Sequence, residues 1–166
     1  KIMNKLFYLS TLFFAIILFS GCPYSSEVAI DASPKIKVDK SLLGKYELRS
    51  STDYIYKVTS VDDYTYHIEK KSKTDGEPEN YKGFISEIEG VKFFNIYEDK
   101  DDAEMKYYFY KLDAPPGTSL FTMLPVTENI DETFTSSEEL KKFFKANMNL
   151  SFFYAKDEES YIKTGN

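Results

Sequence analysis

Tryptophan is absent from this chain, and cysteine and histidine occur once each. A lone cysteine, Cys22, excludes an intrachain disulfide and any thiolate metal cluster. A lone histidine, His67, leaves a transition-metal site to draw its other ligands from carboxylates. No Gly-x-Ser-x-Gly elbow and no glycine-rich phosphate loop occurs, so two common routes to hydrolysis and nucleotide binding are missing. Basic residues are outnumbered, 21 against 27 acidic, for a formal net charge of −6. That balance is a poor fit for nucleic acid, whose phosphates demand a basic surface. The chain also lacks any apolar run of the roughly 20 residues that a helix needs to cross a bilayer.

Its one sustained apolar run lies near the start, in Met3–Cys22, MNKLFYLSTLFFAIILFSGC. Lys5 supplies positive charge, and the apolar stretch from Leu6 to Phe19 has the length of a signal-peptide core. Lys1 and Ile2 precede the first methionine, and Met3 is read as the initiator. Phe19-Ser20-Gly21-Cys22 resembles the lipobox of bacterial lipoproteins, with Phe19 where that family usually has leucine. The resemblance implies cleavage before Cys22, a diacylglycerol on its thiol and acylation of the new amino terminus. The alternative is an ordinary secretory signal with an incidental cysteine. More than one acyl chain gives firm membrane attachment, each buried CH₂ contributing about 0.8 kcal/mol. By the same resemblance, Pro23 rather than aspartate after the cysteine favours the outer membrane of the cell envelope, on a face the sequence leaves open.

Three segments follow: a signal peptide at 1–21, a flexible tether at 22–40 and a folded domain at 41–166. Loss of Lys1 and Lys5 with the signal leaves 19 basic residues against 27 acidic, a mature charge near −8. Pro23–Lys40 has two prolines and no hydrophobic period, and a flexible chain of its length spans roughly 25 Å. Ile36 and Val38 alternate with lysines and could make a short edge strand.

The domain is rich in tyrosine and phenylalanine, 14 of each, a bias that favours strands. Tyr54–Val61, Tyr64–Lys70, Tyr81–Glu89, Val91–Glu98, Met105–Asp113 and Thr118–Val126 read as strands separated by turn residues. Asp62-Asp63 is a tight turn, Lys71–Asn80 a polar loop with Asp75-Gly76 inside it, and Glu89-Gly90 a hairpin turn. Asp99–Glu104 is an acidic tip. Pro125 points to an edge or a bulge. Ser136 followed by Glu139 is a capping box, and Leu140, Phe143, Phe144 and Met148 recur at helical spacing. One amphipathic helix is therefore expected over 137–146. Ser151–Lys156 and Ser160–Lys163 read as a last hairpin.

These elements predict a mainly β fold: an antiparallel up-and-down meander of about 8–9 strands closing into a small barrel, with one helix near the C-terminus. Gly44-Lys45-Tyr46 resembles the Gly-x-Trp motif on the first strand of lipocalins, with tyrosine for tryptophan. The resemblance implies a lipocalin-like barrel and carries no ligand with it.

Candidate chemistry is sparse. His67 shares a strand face with Thr65 and Glu69 and reads as a solvent-facing residue. The carboxylates from Glu98 to Glu104 lack the glycine of a calcium loop and are interrupted by Lys100. No catalytic residue, metal site or cofactor is expected. Consecutive Tyr107, Tyr108, Phe109 and Tyr110 make both faces of one strand aromatic. In a barrel, one set would line the interior and the other would meet the helix or a partner. The sequence thus points to a non-enzymatic, lipid-anchored binding module for a small apolar ligand or a peptide. An accessory subunit that binds an envelope protein is the alternative, and an envelope hydrolase a weaker one.

Overall fold

The computed structural model describes residues 23–74, 76–100 and 105–166. The segment expected to be a signal peptide, with Cys22, lies outside the described residues, as do Asp75 and most of the acidic tip. Nine strands form one antiparallel sheet: β1 (Ser25–Ser26), β2 (Gly44–Leu48), β3 (Tyr54–Ser60), β4 (Tyr66–Ser72), β5 (Glu79–Ile88), β6 (Val91–Glu98), β7 (Tyr107–Asp113), β8 (Leu120–Pro125) and β9 (Glu159–Gly165). Each strand from β2 to β8 pairs with the next, and β9 pairs with both β8 and β2. Eight strands thus close into a barrel with no open edge. The closing strand arrives only after α1 (Ser137–Asn147), the one α-helix among the described residues.

Local chemistry sets the element ends. Ser136 is extended and its hydroxyl accepts from the Glu139 N–H at 3.3 Å, so α1 starts where the capping box predicts. The β5–β6 hairpin turns through Glu89 and Gly90 at φ 50° and 84°, the paired positive angles of a type I′ turn. Gly44 opens β2 at φ 141°, and a Cβ there would meet the Gly165 carbonyl oxygen at 2.6 Å. Glycine is what lets β2 and β9 approach and close the barrel at that point.

Strand alternation separates two cores. Inward-facing Tyr46, Val58, Tyr66, Ile85, Phe94, Leu112, Phe121, Met123 and Tyr161 pack inside the barrel. Outward-facing Ile88, Phe93 and Phe109 pack under α1, meeting Leu140, Phe144 and Met148. Those three helix positions are spaced by four, so they form one stripe. Phe144 is fully buried, with Phe93, Phe109 and Phe153 rings 5.1–5.3 Å from it. Burying a side chain of that size contributes about 1.5–3 kcal/mol.

The segment expected to be a tether contributes to both cores. Tyr24, Ala29, Ile30 and Asp31 are buried. Ser25 and Ser26 pair with Tyr108 and Tyr107, and the Ile30 N–H donates to buried Asn95 Oδ1 at 3.0 Å. From Pro23 to Lys35 the chain is therefore a strap along the outer wall. Ile36 and Val38 form no strand. With Leu42 and Leu43 they cap one end of the barrel interior, where the Val38 N–H donates to the Asp63 carbonyl and the Asp39 N–H to the Tyr66 hydroxyl.

The last hairpin is corrected. Ser151–Phe153 is a turn of 3₁₀ helix, Tyr154 makes a single bridge to Val126, and only β9 is a strand. Phe153 is drawn into the outer core by the Phe144 ring, and that pull overrides the strand propensity of an aromatic run.

Candidate functional site

One barrel end is capped by Ile36, Val38, Leu42 and Leu43. Toward the other end the interior holds a cavity of about 210 Å³. Its wall is built by alternation: Tyr56 and Val58 from β3, Ile68 and Lys70 from β4, Tyr81 from β5, Ile96 from β6, Tyr108 and Tyr110 from β7, and Glu159 and Tyr161 from β9. Phe94, Phe121 and Met123 complete it. Beyond them, the edge contacts of Tyr66 with Phe94 (5.3 Å) and Tyr46 with Phe121 (4.8 Å) fill the barrel toward its capped end.

The aromatic wall is ordered. Phe121 stacks on Tyr161 at 4.9 Å with 13° between the planes, and Tyr56 meets Tyr161 edge-on at 5.2 Å. The Tyr161 hydroxyl donates to Glu159 Oε2 at 2.6 Å, and the Tyr81 hydroxyl to Glu79 Oε2 at 2.5 Å. Lys70 Nζ bridges both Glu79 oxygens at 3.2 Å and lies 4.6 Å from the Tyr54 ring centroid. Among the described residues, the hydroxyls of Tyr56, Tyr108 and Tyr110 donate to no protein acceptor.

Burial and a nearby carboxylate keep the Tyr56, Tyr110 and Tyr161 hydroxyls protonated. Burial, and then the Glu159 charge, pushes the Tyr56 hydroxyl up to about 12. The same two causes push Tyr110 and Tyr161 higher still. The Tyr81 hydrogen bond holds the Glu79 carboxyl below its ordinary value, with Lys70 adding to the effect against burial. The cavity thus offers an apolar body, neutral hydroxyl donors, one carboxylate at Glu159 and the Lys70 ammonium, which is paired with Glu79.

Beside the cavity runs a groove of about 870 Å³. It sits where β8 ends at Pro125 and the chain leaves the barrel, and it is lined by Pro23, Val126, Phe152, Tyr154 and Lys156 among others. Tyr110 and Glu159 line both the groove and the cavity.

The expected aromatic residues divide by face. Tyr108 and Tyr110 line the cavity. Phe109 is fully buried beneath α1, and Tyr107 packs outside against Phe84 and Tyr97. Sequence reasoning did not name Tyr56, Tyr81, Tyr161, Lys70 or Glu159. The alternation of Tyr54, Tyr56 and Val58 was the available signal, but only barrel closure brings β3, β5 and β9 around one space. His67 lies across the wall, with Nε2 3.1 Å from Asn80 Oδ1 and Nδ1 3.5 Å from Thr59 Oγ1. Among the described residues no group of three or more His, Cys, Asp or Glu side chains could hold a metal, and no helix is long and apolar enough to cross a membrane. No protein-family model, curated protein or solved structure matches this chain.

Proposed function

We propose that this chain is an envelope lipoprotein, anchored through acyl chains on Cys22, whose barrel is a binding module for a small apolar ligand. The tyrosine-lined cavity of about 210 Å³ carries the reading. Small eight-stranded barrels are either filled by side chains or hold one small ligand, and this interior is filled at one end only. A cavity of roughly 150 Å³ accommodates benzene, so the space suits a single substituted ring or a short branched chain. The unspent hydroxyls favour a ligand with one polar group on an apolar body. A binding role fits better than hydrolysis, because His67 is engaged on the outer wall, away from Glu159 and the tyrosines.

The test fills the space. Protein purified from the full chain is examined by saturation-transfer NMR with 4-methylphenol as probe. Wild type is expected to bind it, and Ile68→Trp, which grows into the cavity, to weaken binding about tenfold or more. Overpacking costs about 1–3 kcal/mol, so Ile96→Phe serves as a milder second block. Absence of binding by wild type, or equal binding by wild type and a folded blocking variant, would rule the reading out.

A further inference from the structure

We infer that the cavity entrance faces the bilayer, with Phe152 inserted among the lipid chains, so that the ligand is exchanged with the membrane rather than with bulk water. The inference rests on the lipoprotein reading of Cys22 and adds an orientation to it.

Three observations converge on one rim. The first is the place of Pro23. It lines the groove that shares Tyr110 and Glu159 with the cavity wall. The next residue is locked: the Tyr24 N–H donates to the Val126 carbonyl at 3.1 Å, its hydroxyl donates to the Glu132 carbonyl at 3.0 Å, and its ring stacks on Phe109 at 5.9 Å. Cys22 is joined directly to Pro23, and consecutive Cα atoms lie about 3.8 Å apart. An acyl anchor on Cys22 is therefore one residue away from a fixed point of the fold. It holds this rim, and no other part of the barrel, against the bilayer.

The second observation is exposure. Phe152 is 70% exposed, the most exposed of the large apolar side chains among the described residues, and it lines the same groove as Pro23. Leu150, two residues before it, is 39% exposed. Moving that apolar area out of water is favourable, and a neighbouring acyl anchor supplies the apolar phase that would cover it.

The third is charge. The groove carries Lys156 beside Glu128, Asp157 and Glu159, a set with no basic excess. Attraction to anionic headgroups is thus not the force that orients the protein, and contact through an apolar side chain beside a lipid anchor is. An apolar ligand leaving the bilayer at this rim would pass along the groove, cross Tyr110 and Glu159, and enter the cavity.

The chain has no tryptophan, so one substitution creates a unique reporter. Phe152→Trp marks the groove rim. Val61→Trp marks the β3–β4 turn at the capped end, where Val61 is 53% exposed. Each variant is produced from the full chain, extracted from membranes, checked by mass for acyl groups on the Cys22 peptide, and reconstituted into phosphatidylcholine vesicles containing brominated lipid. Phe152→Trp is expected to emit at shorter wavelength and to be quenched about twofold or more, as side chains a few ångströms below the headgroups are. Val61→Trp is expected to behave as in water, and neither result should change with salt. Acylated protein with Phe152→Trp unquenched, or with Val61→Trp quenched instead, would overturn the orientation and leave the anchor standing. A Cys22 peptide without acyl mass would overturn the anchor reading and the orientation with it.

Discussion

The Ile30 N–H and the Asn95 side-chain oxygen meet at 3.0 Å with both residues fully buried. The bond joins positions 65 apart in sequence and ties the strap to the barrel wall. The other side of the Asn95 amide donates to the Phe84 carbonyl and to Ser86 Oγ, each at 3.1 Å. One side chain therefore satisfies groups on the strap and on β5, and it does so where water has no access.

Asn95→Ala removes all of these bonds and leaves the Ile30 N–H without its acceptor. An unsatisfied buried donor costs about 1–3 kcal/mol, and urea denaturation should show a loss at the upper end of that range. Asn95→Asp keeps the acceptor for Ile30 but loses the donors. In hydrogen exchange, the Ile30 amide should open faster in the alanine variant than in the aspartate variant. Equal protection in both would mean that the strap is held by other contacts.

Asp31 fastens the strap to α1 and should make stability sensitive to acid. Its carboxylate is 6% exposed and accepts from Lys141 Nζ at 2.8 Å and Lys35 Nζ at 3.3 Å. Burial pushes its pKa up, but the hydrogen bonds from Lys141, Ser86 and Lys35, with the Lys141 charge, outweigh it and hold the carboxyl below its ordinary 3.8. The unfolded chain then takes up the proton at higher pH than the folded one. The contribution is complete above the ordinary carboxylate range and is lost as pH falls through the folded value. Asp31→Asn should cost about 1–3 kcal/mol at neutral pH, and the gap to wild type should narrow in urea titrations at pH 3. A gap that stays constant with pH would contradict the ion pair's role.

At the alkaline end the buried tyrosines should limit stability. Burial is the main cause that raises the Tyr24, Tyr56 and Tyr66 hydroxyls from 10.0 to about 12. The folded state holds these protons where the unfolded chain releases them. Their contribution is therefore full below pH 10 and lost as pH rises toward 12. Tyrosinate absorbance should rise in a cooperative step that coincides with loss of the far-ultraviolet circular dichroism. Full ionisation near pH 10 with the dichroism intact would show that these rings are not sheltered.

The fold was readable wherever the signal is local. Ser136 and Glu139 mark the helix start from four residues of sequence, and the helix begins there. Tyr66 and Ile68 alternate inward as expected, but Tyr64 does not join them. The Asp62 carboxylate accepts from the Tyr64 and Thr65 N–H groups and extends the turn. The strap was not readable. Tyr24 is a single apolar residue and Val28–Ile30 a run of only three, with no period between them, and the partners Phe109 and Asn95 lie far along the chain. The cavity was half readable. Tyr108 and Tyr110 declare themselves by alternation within β7, whereas Glu159 and Tyr161 become wall residues only because β9 inserts between β8 and β2. No local pattern encodes that closure.

Whether the barrel holds a ligand among its tyrosines is tested most directly by NMR on protein carrying ring-labelled tyrosine, titrated with 4-methylphenol. The cavity rings of Tyr56, Tyr108, Tyr110 and Tyr161 should shift together along one saturating curve, while Tyr64, which is exposed at the capped end, stays still. No saturating shift, or shifts confined to Tyr64 and other rings outside the cavity, would contradict a ligand site inside the barrel.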